Sequence, residues 1–549
     1  MKEIIGKQRY VWLVAVCILA FFANAGVLDS DIMEARNLVT AREMVEYDNW
    51  MVPTMNGDLR LEKPPLPTWV AAIIEAVSPE NIVAQRAAAG VMGTLWALFF
   101  FLTVKVIARS KRAALTSTLV FLTCYNVILM GRTATWDIYC HAFMQGAVWL
   151  LFKLFYRPET ERRRVWTFVA AGLLMGLSFM SKGPVSFFAM LLPFIIGCAF
   201  YGRPHGGKGT GLGLTLMIAL TVVISVWWYI SVYVFHPEVA SYVFNKESAS
   251  WVNHNVRPWY YYWRFFAEMG VWALATLAAL FSPLFLRRMR RDKALLFGVT
   301  WMLATVILLS FMPEKKMRYL LPLCAPCAMS VGLWLEWVSD NWNRDKWSCL
   351  LYRINGWLIT VITLGLSGAV IYLWLGMEKV NAWVAVVCAV LFLGIAAVMA
   401  VTTVKGHVHT FVDSVCCIFI VAEVMLMGQI SHFFSNPQYS SISATRHDPR
   451  LRGYDFYYLH PTQTPRMEMV LEAGRRVRPL DYANPDSVMA RLPMVTVSNR
   501  PVGELLPREV LAQVDTVYIG TYDNNHHAPG KQHYTDLLYN RITIIKKKQ

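Results

Sequence analysis

The chain has 549 residues, 56% hydrophobic and only 16% charged, with a mean hydropathy of +0.40 and a formal charge of +16. Soluble proteins carry about 25% charged residues, so this composition excludes a soluble multidomain protein, a disordered chain and a disulfide-stapled secreted scaffold. In a membrane protein the basic excess belongs to Lys and Arg of cytoplasmic turns rather than to nucleic-acid binding. At least eight of the ten cysteines lie inside apolar runs and none follows Cys417. The one C-x-x-C, Cys324 to Cys327, sits within a span and has no second pair, so neither a disulfide framework nor a zinc site is supported.

A helical span needs about 20 apolar residues to cross the hydrocarbon core. Thirteen runs are candidates, at 11–28, 83–106, 112–130, 138–156, 166–181, 184–201, 211–235, 265–286, 294–312, 319–338, 355–376, 381–402 and 410–433. Lipid cannot satisfy backbone polar groups, so these are read as helices. The runs 166–181 and 184–201 are short and are separated only by Lys182-Gly183. The first run also carries Ala23-Asn24-Ala25, the pattern of a signal-peptide cleavage site, and either reading sends Asp29 to the far side. With Lys2, Lys7 and Arg9 inside, the inside turns are Lys105–Arg112, Lys153–Arg164, Arg203–Lys208, Arg287–Lys293, Arg344–Arg353 and the turn at Lys405. These turns hold the basic clusters, as the positive-inside rule requires, and an odd number of spans leaves the C-terminal region outside.

The outside segments differ in character. A first loop at about 29–82 is rich in acids, bases and proline, and a second at about 236–263 is dense in aromatics. Short outside turns carry Arg132 to Asp137, Lys182, and Glu314 to Arg318. Charges gathered on one face against the inside bias point to a shared polar cavity at the outer surface. After Phe434 the composition turns soluble. A helical pattern at Met467–Arg476 and strand-like runs at Met494–Val497, Val514–Ile519 and Ile542–Ile545 predict a small α/β domain. The domain reading is therefore 1–434, a membrane domain, and 435–549, a soluble outside domain.

The first loop reads Asp29-Ser-Asp-Ile-Met-Glu-Ala-Arg36, then Ala41-Arg-Glu-Met44, Asn49-Trp-Met-Val-Pro53 and Leu61-Glu-Lys-Pro-Pro65. If a helix starts here, Asp31 and Glu34 share a face at i, i+3. The functional reading is a carboxylate acting as general base beside a cation that holds a phosphate. The plain reading is a solvated helix start, where acids are favoured anyway. In Arg132-Thr-Ala-Thr-Trp-Asp137 the acid stands at a helix entrance, where an N-cap is the ordinary explanation. In Met180-Ser-Lys-Gly-Pro184, Lys182 either binds a lipid phosphate or snorkels to the interface. In Pro313-Glu-Lys-Lys-Met-Arg-Tyr319, the group Lys315, Arg318 and Tyr319 fits a phosphate site and an interfacial anchor belt equally well. His254 sits in the aromatic second loop, where a lone His is usually structural; Glu62 is a candidate partner, and two ligands are too few for zinc. His526-His527 carries still less signal. Gly202-Arg-Pro-His-Gly-Gly-Lys-Gly209 imitates a phosphate loop but ends in Gly209 where Ser or Thr belongs, and it joins two spans.

The order of these pieces resembles the lipid-linked sugar transferases of the GT-C class, in particular the aminoarabinose lipid A transferases and the protein O-mannosyltransferases. The resemblance runs the whole length in outline and is specific mainly in the first loop, at Glu34, Arg36, Arg42-Glu43-Met44, Asn49-Trp50 with Pro53, and Glu62-Lys63-Pro64. It departs where the family has an Asp directly before the Glu, since Met33 stands there; the catalytic Asp is carried to Asp31, with Asp29 as a competitor. Asn245-Lys-Glu-Ser248 lacks the His of relatives. The fold implied is an integral membrane α-helical protein of GT-C type with about thirteen transmembrane helices and a C-terminal extracytoplasmic α/β domain. The activity implied is a glycosyltransferase moving a sugar from a polyprenyl-phosphate donor to lipid A, a glycan or a protein hydroxyl, by inverting displacement at the outer face of a bacterial inner membrane. Asp31 and Asp137 would be catalytic, and Glu34, Arg36, Glu62, Lys63, Lys182, His254, Lys315, Arg318 and Tyr319 would bind substrate. No cofactor is required by the sequence, and a divalent metal has no ligand set to support it. The alternatives are a polyprenol-phosphate or lipid transporter and a non-catalytic component of a glycan assembly complex.

Overall fold

The computed structural model describes residues 2–157, 160–238, 241, 255–286, 289–342, 344–433 and 436–548. The chain forms two compact units. One comprises Met1–Val27, Leu61–Pro67 and Ile82–Gln429, the other Leu28–Arg60, Thr68–Asn81 and Ile430–Gln549.

In the first unit, ten helices among the described residues are long and apolar enough to cross a bilayer. Lys111–Leu122 and Tyr125–Gly131 pass that test together but are bent by 73°. The break falls at Thr123, whose hydroxyl donates to the Leu119 carbonyl (2.9 Å) and accepts from the buried Trp272 indole (2.8 Å). Gln8–Phe22 and Phe187–Tyr201 are apolar but shorter. These thirteen segments coincide with the thirteen apolar runs of the sequence, while length and composition support ten full crossings, or eleven with the bent pair. The chain is thus a multi-pass membrane protein. Trp136–Tyr156 and Met317–Asp340 are the most enclosed spans. The helices Glu161–Lys182 and Thr210–Phe235 pack closely because Gly172 and Gly176 lie one turn apart on the contact face. A side-chain carbon on Gly172 would fall 2.6 Å from the Met217 carbonyl oxygen, so only hydrogen fits there.

The second unit is built on a five-stranded mixed sheet. A short hairpin, β1 (Thr54–Met55) and β2 (Asp58–Leu59), precedes it, turning through Asn56 and Gly57 at φ of 55° and 91°, the Asn-Gly turn such hairpins favour. The sheet strands are β3 (Asp455–Leu459), β4 (Val477–Pro479), β5 (Met494–Ser498), β6 (Val514–Asp523) and β7 (Tyr539–Lys547), ordered β4-β3-β5-β7-β6. β3 is parallel to β4 and β5, and β7 is antiparallel to β5 and β6. β5, β6, β7 and the helix Met467–Ala473 match the runs read from the sequence. β3 and β4 were not foreseen: four of the five residues of β3 are buried, which erases the alternation that marks a half-exposed strand.

The core on one sheet face joins Phe456, Tyr458, Val495, Val497, Ile542 and Ile544 to Met469, Val470 and Ala473 of that helix, and to Val39 of the first-loop helix Ile32–Tyr47. The first loop, assigned to the membrane domain by position in the chain, therefore folds largely with residues 430–549. Polar ties reinforce it. Arg42 donates to the Val470 and Leu471 carbonyls (both 3.4 Å), and the Asn56 side chain exchanges two 2.7 Å bonds with the Val477 backbone. Fully buried Glu43 accepts from Thr54 Oγ1 (2.6 Å), Gly57 N (3.2 Å) and Arg476 Nη2 (2.8 Å), and Arg476 covers the Tyr47 ring.

Candidate active site

In the membrane unit the helix Glu161–Lys182 ends on Lys182 because Gly183 adopts a φ of 72° and Pro184 has no amide hydrogen to continue the ladder. The Lys182 ammonium is delivered to Asp137, which sits in the first turn of Trp136–Tyr156 behind Thr135, where the helix dipole favours a carboxylate. The side chains of this pair are only 6% and 2% exposed. Asp137 Oδ2 makes no hydrogen bond among the described residues. This Asp therefore does more than cap its helix, and this Lys is not a solvent-seeking anchor.

The Lys182 ammonium lies 5.7 Å from the centre of the Tyr319 ring, within cation–π range. Tyr319 Oη donates to Glu314 Oε2 (3.0 Å), and Lys316 pairs with Glu314 Oε1 (2.6 Å). Residues 255–262 shape this turn: Val256 bridges to Glu314, Lys315 N bonds the Asn255 carbonyl, and Tyr262 Oη takes the Lys316 amide (2.9 Å). Lys315 is only 4% exposed, donates to the Met312 carbonyl, and burial pushes its ammonium below the ordinary value. Arg318 acts electrostatically on Asp137. An anchor belt would point such side chains to the interface; here Lys315 and Glu314 are enclosed. Glu62 and Lys63 are half-buried in the Leu61–Pro67 segment of the same unit.

Three groups that sequence reasoning passed over join this description. His141 lies one turn beyond Asp137, is 1% exposed, and interacts electrostatically with Asp137 and Lys182. Its i+4 spacing from Asp137 was the available signal. Lys316 completes the Glu314 pair. Glu423 receives the buried Arg132 (3.2 Å), a partner remote in sequence.

In the second unit Asp31 is the N-cap of Ile32–Tyr47, and its Oδ1 accepts from the Met33 and Glu34 amides at 2.9 and 2.8 Å. Asp31 is exposed, Arg36 is half-buried, and Glu34 is fully buried rather than solvated. Asp29 stands 3.3 Å from His526 Nε2. His254 and Asn245–Ser248 lie outside the described residues. No three His, Cys, Asp or Glu side chains among the described residues are grouped to hold a metal ion.

Residues 26–243 match the family model for dolichyl-phosphate-mannose-protein mannosyltransferase. The undecaprenyl phosphate-alpha-4-amino-4-deoxy-L-arabinose arabinosyl transferase of Pectobacterium carotovorum is 26% identical over 405 residues, 71% of this chain and 70% of its own. The enzyme of the same name from Shewanella sediminis is 29% identical over 325 residues, 57% and 56% of the two chains. Among solved structures, ArnT from Cupriavidus metallidurans bound to undecaprenyl phosphate superimposes with a TM-score of 0.68 at 17% identity, covering 98% of this chain and 97% of that one. The chain is a membrane glycosyltransferase of the GT-C fold. In this glycosyltransferase the Asp137–Lys182 pair, with Glu314 and Lys315 of the 313–319 turn, supplies buried charges to the membrane unit.

Proposed function

We propose that this glycosyltransferase takes its sugar from an undecaprenyl-phosphate-type donor and passes it to an extracytoplasmic acceptor, a lipid A, glycan or protein hydroxyl. The observation that carries the reading is the buried Lys182–Asp137 pair, with the Lys182 ammonium over the Tyr319 ring and Arg318 acting on Asp137, in a unit made of membrane spans. A donor with a polyprenyl tail reaches such groups from the bilayer. Its phosphodiester needs cations, because charge grows on the leaving phosphate as the bond to the anomeric carbon breaks. Lys182, Arg318 and Lys63 of the membrane unit carry that neutralisation, and the relatives' own donor is an undecaprenyl phosphate sugar by name.

Asp137 orients Lys182 through Oδ1 and offers Oδ2 to a sugar hydroxyl. A single displacement on the anomeric carbon inverts its configuration. By the resemblance, the acceptor proton goes to a carboxylate of the first loop, for which Asp31 and Asp29 compete. The N-terminus lies inside and residues 436–548 lie outside the inner membrane, as the basic turns require.

The test incubates purified protein with undecaprenyl phosphate 4-amino-4-deoxy-L-arabinose and with undecaprenyl phosphate mannose. Lipid A, outer-membrane glycan and protein acceptors are supplied, and released undecaprenyl phosphate is followed by mass spectrometry. Release by wild type that falls by about 10²-fold in Asp137→Asn supports the reading. No release with any donor and acceptor, while intact donor moves across proteoliposome membranes, would replace it with transport.

A further inference from the structure

We infer that His141 is the charge-compensating group of the Lys182–Asp137 site, taking up a proton when Lys182 turns from Asp137 to the donor phosphate. This rests on the transferase reading above, in which Lys182 meets that phosphate, and adds a residue which that reading does not use. With Lys182 on Asp137 the two buried charges cancel. A phosphate that draws the ammonium away leaves a carboxylate, 1% exposed, without that counter-charge. A buried charge in that position has to be neutralised or find another partner. Arg318 acts on Asp137 from the 313–319 turn, but the same phosphate claims it. Donor binding therefore calls for a new positive charge beside Asp137.

The surroundings of His141 suit an imidazolium. Asp137, His141 and Gln145 follow at intervals of four on Trp136–Tyr156, so they share one face with Cβ atoms about 5–6 Å apart. All three are buried. Asp137 Oδ2 one turn before, and Gln145 Oε1 one turn after, make no hydrogen bond among the described residues, and neither does His141 Nδ1 between them. The Gln145 amide is oriented by its other end. Its Nε2 donates to Thr103 Oγ1 (2.9 Å), which gives its own proton to the Phe99 carbonyl (2.7 Å), so the amide oxygen is left as an acceptor. A neutral imidazole has one N–H and cannot serve acceptors on both sides, whereas a protonated ring has two. On its flank the Trp96 indole lies 5.6 Å away, ring centre to ring centre, tilted by 38°, within the range at which an indole attracts a cation. A histidine that only fills the core has apolar neighbours on every side. This one stands between two unsatisfied acceptors beside an ion pair.

In the step, one N–H bond forms on the imidazole with a proton supplied by bulk water. The phosphate holds the ammonium, the imidazolium takes one Asp137 oxygen, and the other oxygen remains for the sugar hydroxyl. No bond of the donor changes at this stage. When undecaprenyl phosphate leaves, Lys182 returns to Asp137 and the proton is released. Among the described residues, the charged groups acting on His141 are Asp137 of its own helix and Lys182 of the next. Tyr319 and Arg318 act on Asp137 from the 313–319 turn, Cys140 adjoins the pair, and the helix Ile82–Ala108 contributes the uncharged Trp96 and Thr103. Because binding consumes a proton, donor affinity falls as pH rises above neutrality, by up to about tenfold per pH unit.

The experiment uses the purified full-length protein in detergent, its histidines labelled with nitrogen-15, and the donor active in the panel above with no acceptor supplied. Imidazole and imidazolium nitrogens give separate NMR signals. Subtracting the spectrum of His141→Phe isolates His141 from the chain's twelve histidines. Calorimetry of donor binding at about pH 7.5, in buffers of different ionisation enthalpy, counts the protons taken up. The expected result is a neutral His141 without donor and an imidazolium with it, and uptake of about one proton per donor bound. In His141→Phe the donor Kd rises on the order of 10- to 100-fold. Asp137→Asn, which removes the charge to be answered, leaves His141 neutral with donor bound. Wild-type His141 signals that are the same with and without bound donor overturn the inference, even where another group takes up the proton. If His141→Phe fails to fold, His141→Gln supplies the subtraction. A wild type that binds no donor and releases no undecaprenyl phosphate instead defeats the functional reading itself.

Discussion

Glu43→Ala probes how the outer unit is held together. Glu43 is fully buried and receives three hydrogen bonds, one from the Arg476 guanidinium. Truncation leaves Arg476 facing a void and strips acceptors from Thr54 and Gly57. Breaking a buried ion pair by removing one partner costs about 3–5 kcal/mol. For a unit of this size each kcal/mol moves the midpoint by roughly 2–4 °C, so a drop of about 6–20 °C is expected. The assay is thermal unfolding of the detergent-solubilised protein, read by hydrogen exchange in peptides from 436–548. Because Glu43 belongs to the first loop, the loss must appear in peptides more than 400 residues away, the partners being separated by 433 positions. Arg476→Met alone should also destabilise, and the double variant should lose less than the two losses combined by about 0.5–3 kcal/mol. A shift under about 3 °C, or strict additivity, would refute the claim that these segments share one fold.

The membrane pair gives a second prediction. Lys182→Met leaves Asp137 buried and uncompensated and should lower the midpoint strongly, whereas Asp137→Leu/Lys182→Met should recover most of it while remaining inactive; an active double variant would make the pair purely structural. A third concerns Glu472, whose carboxyl burial pushes above its ordinary value while Ser441 and Asn524 oppose the shift. A carboxylate with a raised folded pKa favours the protonated fold, so its contribution to the outer unit declines as pH rises from the ordinary glutamate range through the folded value. Glu472→Gln should flatten that slope and raise stability at neutral pH, read in urea titrations of outer-unit exchange. An unaltered slope would contradict the assignment.

Hydropathy located the membrane helices because each must bury its own backbone in lipid, a local demand visible in about 20 residues. It does not say that 112–130 breaks at Thr123, whose hydroxyl takes the indole N–H of Trp272 from a distant part of the chain. The cap role of Asp31 was legible as an acid at a helix start, and the Lys182-Gly183-Pro184 stop as a helix terminus. The pairing of Lys182 with Asp137 is only half legible: each residue stands out by itself, but their meeting depends on the packing of Trp136–Tyr156 against Glu161–Lys182, where Gly146 faces Leu174. Arg42-Glu43-Met44 was recognised as a motif without its purpose, which is to tie the first loop to Val470, Leu471 and Arg476. His526 was discounted because nothing near it in the chain names Asp29 as its partner.

The central claim, sugar transfer from a lipid phosphate by one displacement, is tested most directly with donor labelled with carbon-13 at the anomeric position. The product is examined by NMR after turnover by the purified wild type. The account predicts label in the acceptor with inverted anomeric configuration and one undecaprenyl phosphate released per sugar moved. Label that stays on the lipid, or reaches the acceptor with retained configuration, would contradict it.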